Sequence, residues 1–435
     1  MPPRFDAHAH LAPARDLGRW LLLVVPLAIA VGIACAFFLW SLDFVTRIRF
    51  AQPNLLWLLP FAGVGISWLY LQYGAASEGG SNLLLDAIHH SDAENPDTSP
   101  LVPRRMAPLI LLTTIVTHQF GGSAGREGTA LQMGGALASA WGRFFDLKAD
   151  ETRVLLLCGL AAGFGGVFGT PLAGAVFALE FLMVGRLKTD AIFPCFLAAF
   201  VANWTVATIG VQHTLYAMAP LLAPRGDWLF APHLAFKIAV AALFFGLAAR
   251  LFIGANHRVG RFFHTAVPHP LWRPFWGGIV LIALTLLLGT RDYLGLGVLS
   301  QGSGAVTLVS AFQSGGADAL SWFWKGLFTV ITLGSGFKGG EVTPLFFIGA
   351  TLGNTLAGPL HAPVDLMAGL GLLGVFAGAT KTPLACTLLG IELFGAQNAP
   401  YFALACFLSL AWSGRGRIYQ SQRGGEEKLT ADERR

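Results

Sequence analysis

The sequence has few charged residues. Only 12% of its 435 residues are Asp, Glu, Lys or Arg, whereas 54% are hydrophobic, and the mean hydropathy is +0.61. A soluble protein of this length does not need so many apolar side chains, so the composition indicates a polytopic membrane protein. Sustained alternation of apolar and polar residues is absent, which argues against a transmembrane β-barrel. The basic residues form no face interleaved with aromatics, so nucleic-acid binding is not expected.

The sequence also lacks the residue spacing of a metal or redox site. Its five cysteines occur singly in apolar stretches, without a CxxC pair. The adjacent His89 and His90 have no spaced third ligand. We therefore expect no metal and no cofactor, and we interpret the cysteines as small core residues.

Long uninterrupted apolar runs are scarce for a membrane protein. Crossing the hydrocarbon layer takes about 20 helical residues, and many apolar segments here run roughly 10 to 16 residues before a Gly or Pro. The chain contains 53 Gly and 23 Pro. Irregular backbone is tolerated at membrane depth only where protein or a polar cavity satisfies its polar groups. The sequence therefore predicts an all-α fold with broken and re-entrant helices.

Positive charge is concentrated at the two ends of the chain. The positive-inside tendency places both termini in the cytoplasm, and we expect a multi-pass protein of the cell inner membrane. Residues 1–19 are predicted to be a cytoplasmic segment, and residues 421–435 a disordered cytoplasmic tail. The basic residues are Arg4, Arg15 and Arg19 at one end and Arg415, Arg417, Arg423, Lys428, Arg434 and Arg435 at the other.

Two glycine-rich breaks interrupt the apolar segments. The first, residues 121–129, has Glu127 at its centre, and an ionisable residue at membrane depth is costly enough to indicate function. The second, residues 334–344, contains Lys338 and Glu341. The first break reads Gly121, Gly122, Ser123, Ala124, Gly125, Arg126, Glu127, Gly128, Thr129, and the second reads Gly334, Ser335, Gly336, Phe337, Lys338, Gly339, Gly340, Glu341, Val342, Thr343, Pro344.

The breaks belong to an internal repeat. A Thr-Pro-Leu-Ala segment followed by a glutamate begins at Thr170 and again at Thr382, an offset of 212. Glu127 and Thr129 recur as Glu341 and Thr343 at an offset of 214. Two blocks in the same order at nearly one offset indicate a duplicated chain. We predict a first membrane repeat at residues 20–211, a linker at 212–232 and a second membrane repeat at 233–420.

Duplicated halves with interrupted helices at matching positions predict a transport site between the halves. Helix N-termini at such breaks present free N–H groups and the positive end of the dipole, which suit an anion. Glu127 would compete with the anion when ionised and leave when protonated, which couples a proton to anion occupancy. The alternative is a buried ion pair between Glu127 and Arg126 or another cation.

The other acidic residues permit two interpretations each. Glu341 and Lys338 can form an anion-facing nest or a mutual or interfacial salt bridge, and the sequence leaves both open. Glu180 and Glu392 lie at matched ends of apolar helices, where capping or ion pairing at the membrane edge is the simpler interpretation.

These motifs resemble those of the CLC family of anion channels and proton-coupled anion antiporters, over about residues 20–420. Residues 125–129 are similar to its Gly-Arg-Glu-Gly-Pro motif, residues 340–344 to Gly-x-Phe-x-Pro, and residues 79–83 stand where Gly-Ser-Gly-Ile-Pro is expected. The departures, among them Thr129 for Pro and the added Lys338 and Glu341, resemble the fluoride/proton antiporter branch. The resemblance implies a CLC-type inverted repeat and a homodimer in the lipid bilayer.

The resemblance also implies residue roles. Glu127 would be the proton-carrying gate. Chloride antiporters of the family have an inner glutamate where Phe181 stands, so either Glu341 serves as a second proton group or proton coupling is weaker. Tyr419 would be the inner-gate tyrosine. The implied anion-binding residues are Ser81, Asn82, Gly125, Arg126, Gly128, Thr129, Gly340, Val342, Thr343 and Tyr419.

The resemblance implies secondary transport that exchanges fluoride for protons, and we expect no enzymatic activity. Fluoride is smaller than chloride and holds its hydration shell harder, so more donors must replace its water. Asn82, Thr129 and Thr343 add such donors, although they can also satisfy backbone freed by the breaks. One alternative is a chloride channel or chloride/proton antiporter. Another is an intramembrane enzyme with Glu127 and Glu341 as acid and base, which no nucleophile or metal cluster supports.

Overall fold

The computed structural model describes residues 7–90, 102–185, 189–219, 232–299, 302 and 304–424. Within these ranges the chain forms fifteen α-helices and no β-strand longer than an isolated bridge. The helices are α1 (Ala7–Ala51), α2 (Leu59–Leu69), α3 (Ser81–His90), α4 (Met106–Gln119), α5 (Glu127–Phe144), α6 (Ala149–Phe168), α7 (Pro171–Glu180), α8 (Ile192–Thr208), α9 (Pro232–Ala266), α10 (Arg273–Leu288), α11 (Ser321–Gly334), α12 (Val342–Leu360), α13 (Val364–Thr380), α14 (Pro383–Phe394) and α15 (Ala399–Trp412).

Both long and short apolar helices are present. Among the described residues, five helical stretches are long and apolar enough to cross a membrane, and other apolar helices have only 10–17 residues. The five stretches are Gly18–Ala51, Pro53–His89, Ala149–Phe168, Pro232–Ala266 and Pro270–Leu288. The prediction of an all-α polytopic membrane protein with broken helices is confirmed.

The two halves repeat the same packing. Helix α5 packs against α6 as α12 packs against α13, and α6 packs against α8 as α13 packs against α15. The long helices follow the same pattern, because α1 contacts α8 in the first half as α9 contacts α15 in the second. Facing glycines allow the close approach within each half, Gly134 with Gly159 and Gly349 with Gly371.

A reciprocal pair of glutamates joins the halves. Glu180 ends α7 and accepts hydrogen bonds at the start of α14, while Glu392, near the end of α14, accepts bonds at the start of α7. The four bonds are Leu384 N to Glu180 Oε1 (3.1 Å), Ala385 N to Glu180 Oε2 (2.8 Å), Leu172 N to Glu392 Oε1 (2.9 Å) and Ala173 N to Glu392 Oε2 (2.8 Å). Each carboxylate caps the free N–H groups of the other helix.

This exchange fixes the relation between the halves. Because the end of each helix meets the start of the other, α7 and α14 are antiparallel. A two-fold rotation that exchanges α7 and α14 must reverse the helix direction, so its axis is perpendicular to the helices. For helices that cross a membrane, such an axis lies in the membrane plane. The predicted inverted repeat is confirmed. Capping or ion pairing at the membrane edge was expected for Glu180 and Glu392. Both carboxylates cap helices, but Glu180 is buried between the halves.

The domain boundaries stay predictions, and parts of them lie outside the described residues, namely 1–6, 220–231 and 425–435. Residues 7–19 of the predicted N-terminal segment form the first part of α1. All five cysteines are free and buried, as expected for core residues.

Candidate functional site

The two glycine-rich breaks meet in space. Gly125 N donates to Gly340 O at 2.5 Å, and Gly340 N donates to Gly125 O at 2.8 Å, which forms an antiparallel bridge. Helix α5 begins two residues after Gly125, and α12 begins two residues after Gly340. Two helix N-termini, each with the positive end of its dipole, therefore converge at one place.

Glu127 is the first residue of α5, and only 1% of it is exposed. Its Oε2 accepts hydrogen bonds from Thr343 N and Arg126 N, both at 3.1 Å, and its Oε1 accepts one from Thr343 Oγ1 at 2.5 Å. Arg126 Nε lies 3.5 Å from Oε1. The alternative of an ion pair with Arg126 is thus partly right, although Thr343 of the other half makes the shorter bonds.

Glycine is needed at position 125 because the backbone passes very close to this carboxylate. A Cβ at Gly125 would lie 2.9 Å from Glu127 Oε2 and 3.0 Å from Gly340 O. Gly128 packs directly on the Cα of Gly340. The Thr129 hydroxyl pairs with the Thr114 hydroxyl at 2.8 Å and so is used within the protein.

A small cavity adjoins the Glu127 carboxylate. Its volume is about 20 Å³, room for about one water-sized particle. A larger cavity of about 660 Å³ shares three lining residues with it, Arg126, Thr214 and Val298. The larger cavity extends along the C-terminal part of α1, past Asp43 and Arg47. The two cavities therefore lie next to each other, with the smaller one at the Glu127 carboxylate.

Glu341 immediately precedes α12 and follows Gly340 of the bridge. Its Oε1 is buried and has no hydrogen-bond partner. The buried Tyr419 hydroxyl interacts with this carboxylate but makes no hydrogen bond of standard geometry. Among the described residues no ion pair joins Lys338 to Glu341, since the Lys338 ammonium instead lies 4.1 Å from the ring centroid of Tyr70.

The motif that opens α3 is brought to the same region. Asn82 Oδ1 accepts a hydrogen bond from Ser421 N at 3.1 Å, two residues after Tyr419. Ser81 Oγ accepts one from Gln132 Nε2 of α5 at 3.4 Å. Val342 is fully buried at the start of α12. The predicted residues therefore assemble into two groups, one around Glu127 and Thr343 and one around Asn82, Glu341 and Tyr419.

Phenylalanines connect the two groups, and apart from Phe181 none of them was singled out from the sequence. Phe168 and Phe346 line the cavity at Glu127, while Phe181 packs edge-on against Tyr419. The available signal was the pairing of phenylalanines four residues apart, Phe164 with Phe168 in α6 and Phe177 of α7 with Phe181 directly after that helix. The centroid separations are Phe181–Tyr419 4.7 Å, Phe177–Phe181 4.9 Å, Phe177–Phe376 6.0 Å, Phe346–Phe376 5.0 Å and Phe168–Phe346 5.3 Å.

The segment between the halves was predicted to be a linker, yet part of it belongs to the site. His213, Thr214 and Tyr216 line the cavity at Glu127. Tyr216 packs against Phe312 and Phe394 of the second half. No periodicity or motif in the sequence indicated this. No group of residues that could hold a metal ion occurs in the described part of the chain.

The chain matches known families and relatives. The family model described as voltage gated chloride channel matches residues 61–414. A chloride/fluoride channel protein of Pseudomonas syringae pv. tomato is 43% identical over 412 residues, which are 95% of this chain and 88% of that one. A putative chloride channel protein ClcB-like of Ralstonia nicotianae is 27% identical over 77% of each chain.

Solved structures agree with the observed fold. The crystal structure of a CLC-type fluoride/proton antiporter aligns with a TM-score of 0.84 and 34% identity, covering 94% of this chain and 99% of that one. A slow cyanobacterial Cl⁻/H⁺ antiporter aligns with a TM-score of 0.75 at 19% identity, which supports the fold alone.

Proposed function

The chain belongs to the voltage gated chloride channel (CLC) family, a family of channels and transporters, and we propose that it exchanges fluoride for protons across a membrane. The observation that carries this proposal is the position of the Glu127 carboxylate. This carboxylate accepts hydrogen bonds from the Thr343 N–H, the Thr343 hydroxyl and the Arg126 N–H, where two helix N-termini meet.

A carboxylate in this position occupies the donors that an anion would use. When Glu127 is ionised, its oxygens hold all three donors and the anion is excluded. When Glu127 takes up a proton, its charge no longer matches the helix N-termini, and the side chain leaves the donors free. Fluoride then binds where the carboxylate was. Each anion that enters or leaves is thus linked to a change in the protonation of Glu127.

Fluoride is favoured over chloride by the size and the donors of the site. The cavity beside the carboxylate has room for about one water-sized particle. The Thr343 hydroxyl adds a side-chain donor to the backbone N–H groups. The relatives support this choice, because one is named a chloride/fluoride channel protein and one solved structure is a fluoride/proton antiporter.

Glu341 is proposed as the second proton group. Phe181 stands where an inner glutamate was expected, and no titratable group replaces it at that position. The orphaned Oε1 of Glu341 can receive a proton without losing a hydrogen bond. The Glu341→Gln variant should therefore lose proton movement while fluoride still passes, as measured with fluoride and pH electrodes on the same liposomes.

The wider setting follows from family membership and charge. We propose a homodimer in the lipid bilayer of the cell inner membrane, with both termini in the cytoplasm. In that orientation the larger cavity, along the C-terminal part of α1, opens on the outer face. Protons entering from outside would then drive fluoride out of the cell.

An anion efflux comparison tests the proposal. Purified protein in liposomes is loaded with equal concentrations of fluoride or chloride, and efflux is followed with ion-selective electrodes while valinomycin and potassium carry the compensating charge. We expect faster fluoride efflux, with none from protein-free liposomes. Equal or faster chloride efflux would favour a chloride channel or chloride/proton antiporter instead.

A further inference from the structure

We propose that His213 relays protons between Glu127 and the solution on the side of the larger cavity. This inference rests on the proposed exchange of fluoride for protons, because it names the residue that supplies the gate with protons. It arises from a segment that connects the two halves and carries none of the family-like motifs.

His213 and Glu127 line the same 20 Å³ cavity. The imidazole ring interacts with the backbone carbonyl of Val167, while its Nε2 is buried and has no hydrogen-bond partner. A carbonyl accepts only from an N–H, so Nδ1 carries the hydrogen of the neutral ring. Nε2 is therefore left with a lone pair that can accept a proton.

The end of α6 holds this ring in place. Gly169 caps the helix in the left-handed conformation, with φ at 75°. A Cβ at this position would lie 2.9 Å from both Cγ and Nε2 of His213. Glycine is thus required for the helix cap and for the space that the imidazole occupies.

The charges around His213 favour passing a proton onward over holding it. Burial of the ring disfavours a lasting imidazolium, and the positive charge of Arg126 of α5 adds to this effect. Glu127 of the same helix is the carboxylate that can take the proton. The remaining neighbours are neutral: Tyr216 on the same segment, Phe168 of α6, Val298, Thr343 and Phe346 of α12, and Leu393 of α14.

A route toward the surface continues from this cavity. Thr214, next to His213, lines both the small and the larger cavity, and Gln212 lines the larger one. Asp43 and Arg47 of α1 also line the larger cavity, where they form an exposed ion pair of 2.7 Å. The larger cavity has the volume to hold water along this route.

The relay is a pair of proton transfers with no net change in the ring. Water or a buffer acid gives a proton to Nε2, which forms an N–H bond and leaves hydroxide or the conjugate base of the buffer in solution. That bond then breaks as a Glu127 oxygen takes the proton, and the neutral imidazole is restored. The reverse sequence returns a proton to the solution.

The test replaces the imidazole with a side chain that cannot titrate. Liposomes containing His213→Gln or His213→Ala are compared with wild type for fluoride efflux and proton uptake, at equal pH on both sides. We expect exchange to slow by about tenfold or more at alkaline pH, where protons are scarce. Added imidazole should restore much of the rate in His213→Ala, whereas pyrazole, of similar size but far less basic, should not. His264→Gln, at an exposed histidine near the end of α9, is the matched control.

Three outcomes distinguish a failure of the proposed function from a failure of the relay. Wild-type protein that moves fluoride without protons would contradict the proposed function itself. Coupled wild-type exchange with an unchanged rate and pH profile in both variants would overturn the relay alone. Slowed variants that imidazole does not restore would also overturn it, since they indicate that His213 only fills space beside Gly169.

Discussion

The two glycine-rich breaks share a backbone arrangement but treat their carboxylates differently. Both breaks supply one side of the Gly125–Gly340 bridge and lead into a helix N-terminus. At the first break Glu127 accepts three hydrogen bonds, whereas at the second Glu341 has a buried oxygen with no partner. The repeat is symmetrical in its backbone and unsymmetrical in its acidic side chains.

A second pair of glutamates differs from Glu127 and Glu341 because its two members make matching contacts. Glu180 and Glu392 each accept two backbone N–H groups of the other half's helix, at nearly equal distances. Matched contacts of this kind hold the halves together. The duplication therefore accounts for the shared scaffold, and the different side-chain contacts of Glu127, Glu341 and Thr343 make the proposed site unsymmetrical.

Glu127→Gln should have the largest effect on this contrast. The amide cannot carry a proton in the transport cycle, so proton movement coupled to fluoride should fall at least about 100-fold. The measurement is proton uptake by liposomes during fluoride efflux. Variant liposomes that still move protons against an anion gradient would show that another group is the gate.

Glu180→Gln and Glu392→Gln should destabilise the protein equally. Each variant replaces a carboxylate oxygen that accepts an N–H with an amide nitrogen that cannot, at a cost of about 1.5–3 kcal/mol. The check is thermal unfolding in detergent, with Glu78→Gln at an exposed position as control. A large difference between the two variants would contradict their symmetrical role.

Thr343→Val should weaken fluoride binding by about tenfold, because loss of one hydrogen bond to a charged group corresponds to roughly 1.4 kcal/mol or more. The measurement is the fluoride concentration at half-maximal exchange. The matched control is Thr351→Val on the same helix, whose hydroxyl bonds Phe347 O at 2.7 Å. Equal fluoride concentrations at half-maximal exchange in the two variants would show that Thr343 does not bind the anion.

Glu341→Gln should change stability least, by less than the ~1.5 kcal/mol expected for Glu180→Gln, because the orphaned Oε1 accepts no hydrogen bond that an amide nitrogen would lose. The same thermal unfolding measurement applies. A loss as large as that of Glu180→Gln would mean that Glu341 is a structural partner rather than a free proton group.

Much of the fold could be predicted from the sequence. Apolar runs cut short by Gly and Pro indicated broken helices, and the offsets of 212 and 214 residues indicated two halves. The cost of placing a charge at membrane depth identified Glu127 as a candidate without any structural knowledge. These inferences succeed because they depend on local composition and spacing.

The partners of these side chains could not be predicted. The sequence did not show that Thr343 would hold Glu127, that Thr129 would pair with Thr114, or that Lys338 would lie on Tyr70. It also gave no reason to place His213 beside the gate. Such contacts join segments far apart in the chain and depend on how whole helices pack.

The direction of proton movement during fluoride efflux tests the exchange most directly. Wild-type liposomes loaded with fluoride are diluted into weakly buffered, fluoride-free medium with valinomycin and potassium, and both ions are followed outside. We expect the medium to become alkaline in fixed proportion to the fluoride released, because protons enter as fluoride leaves. A medium that stays at constant pH while fluoride leaves through the protein, or that becomes acidic, would contradict fluoride/proton exchange.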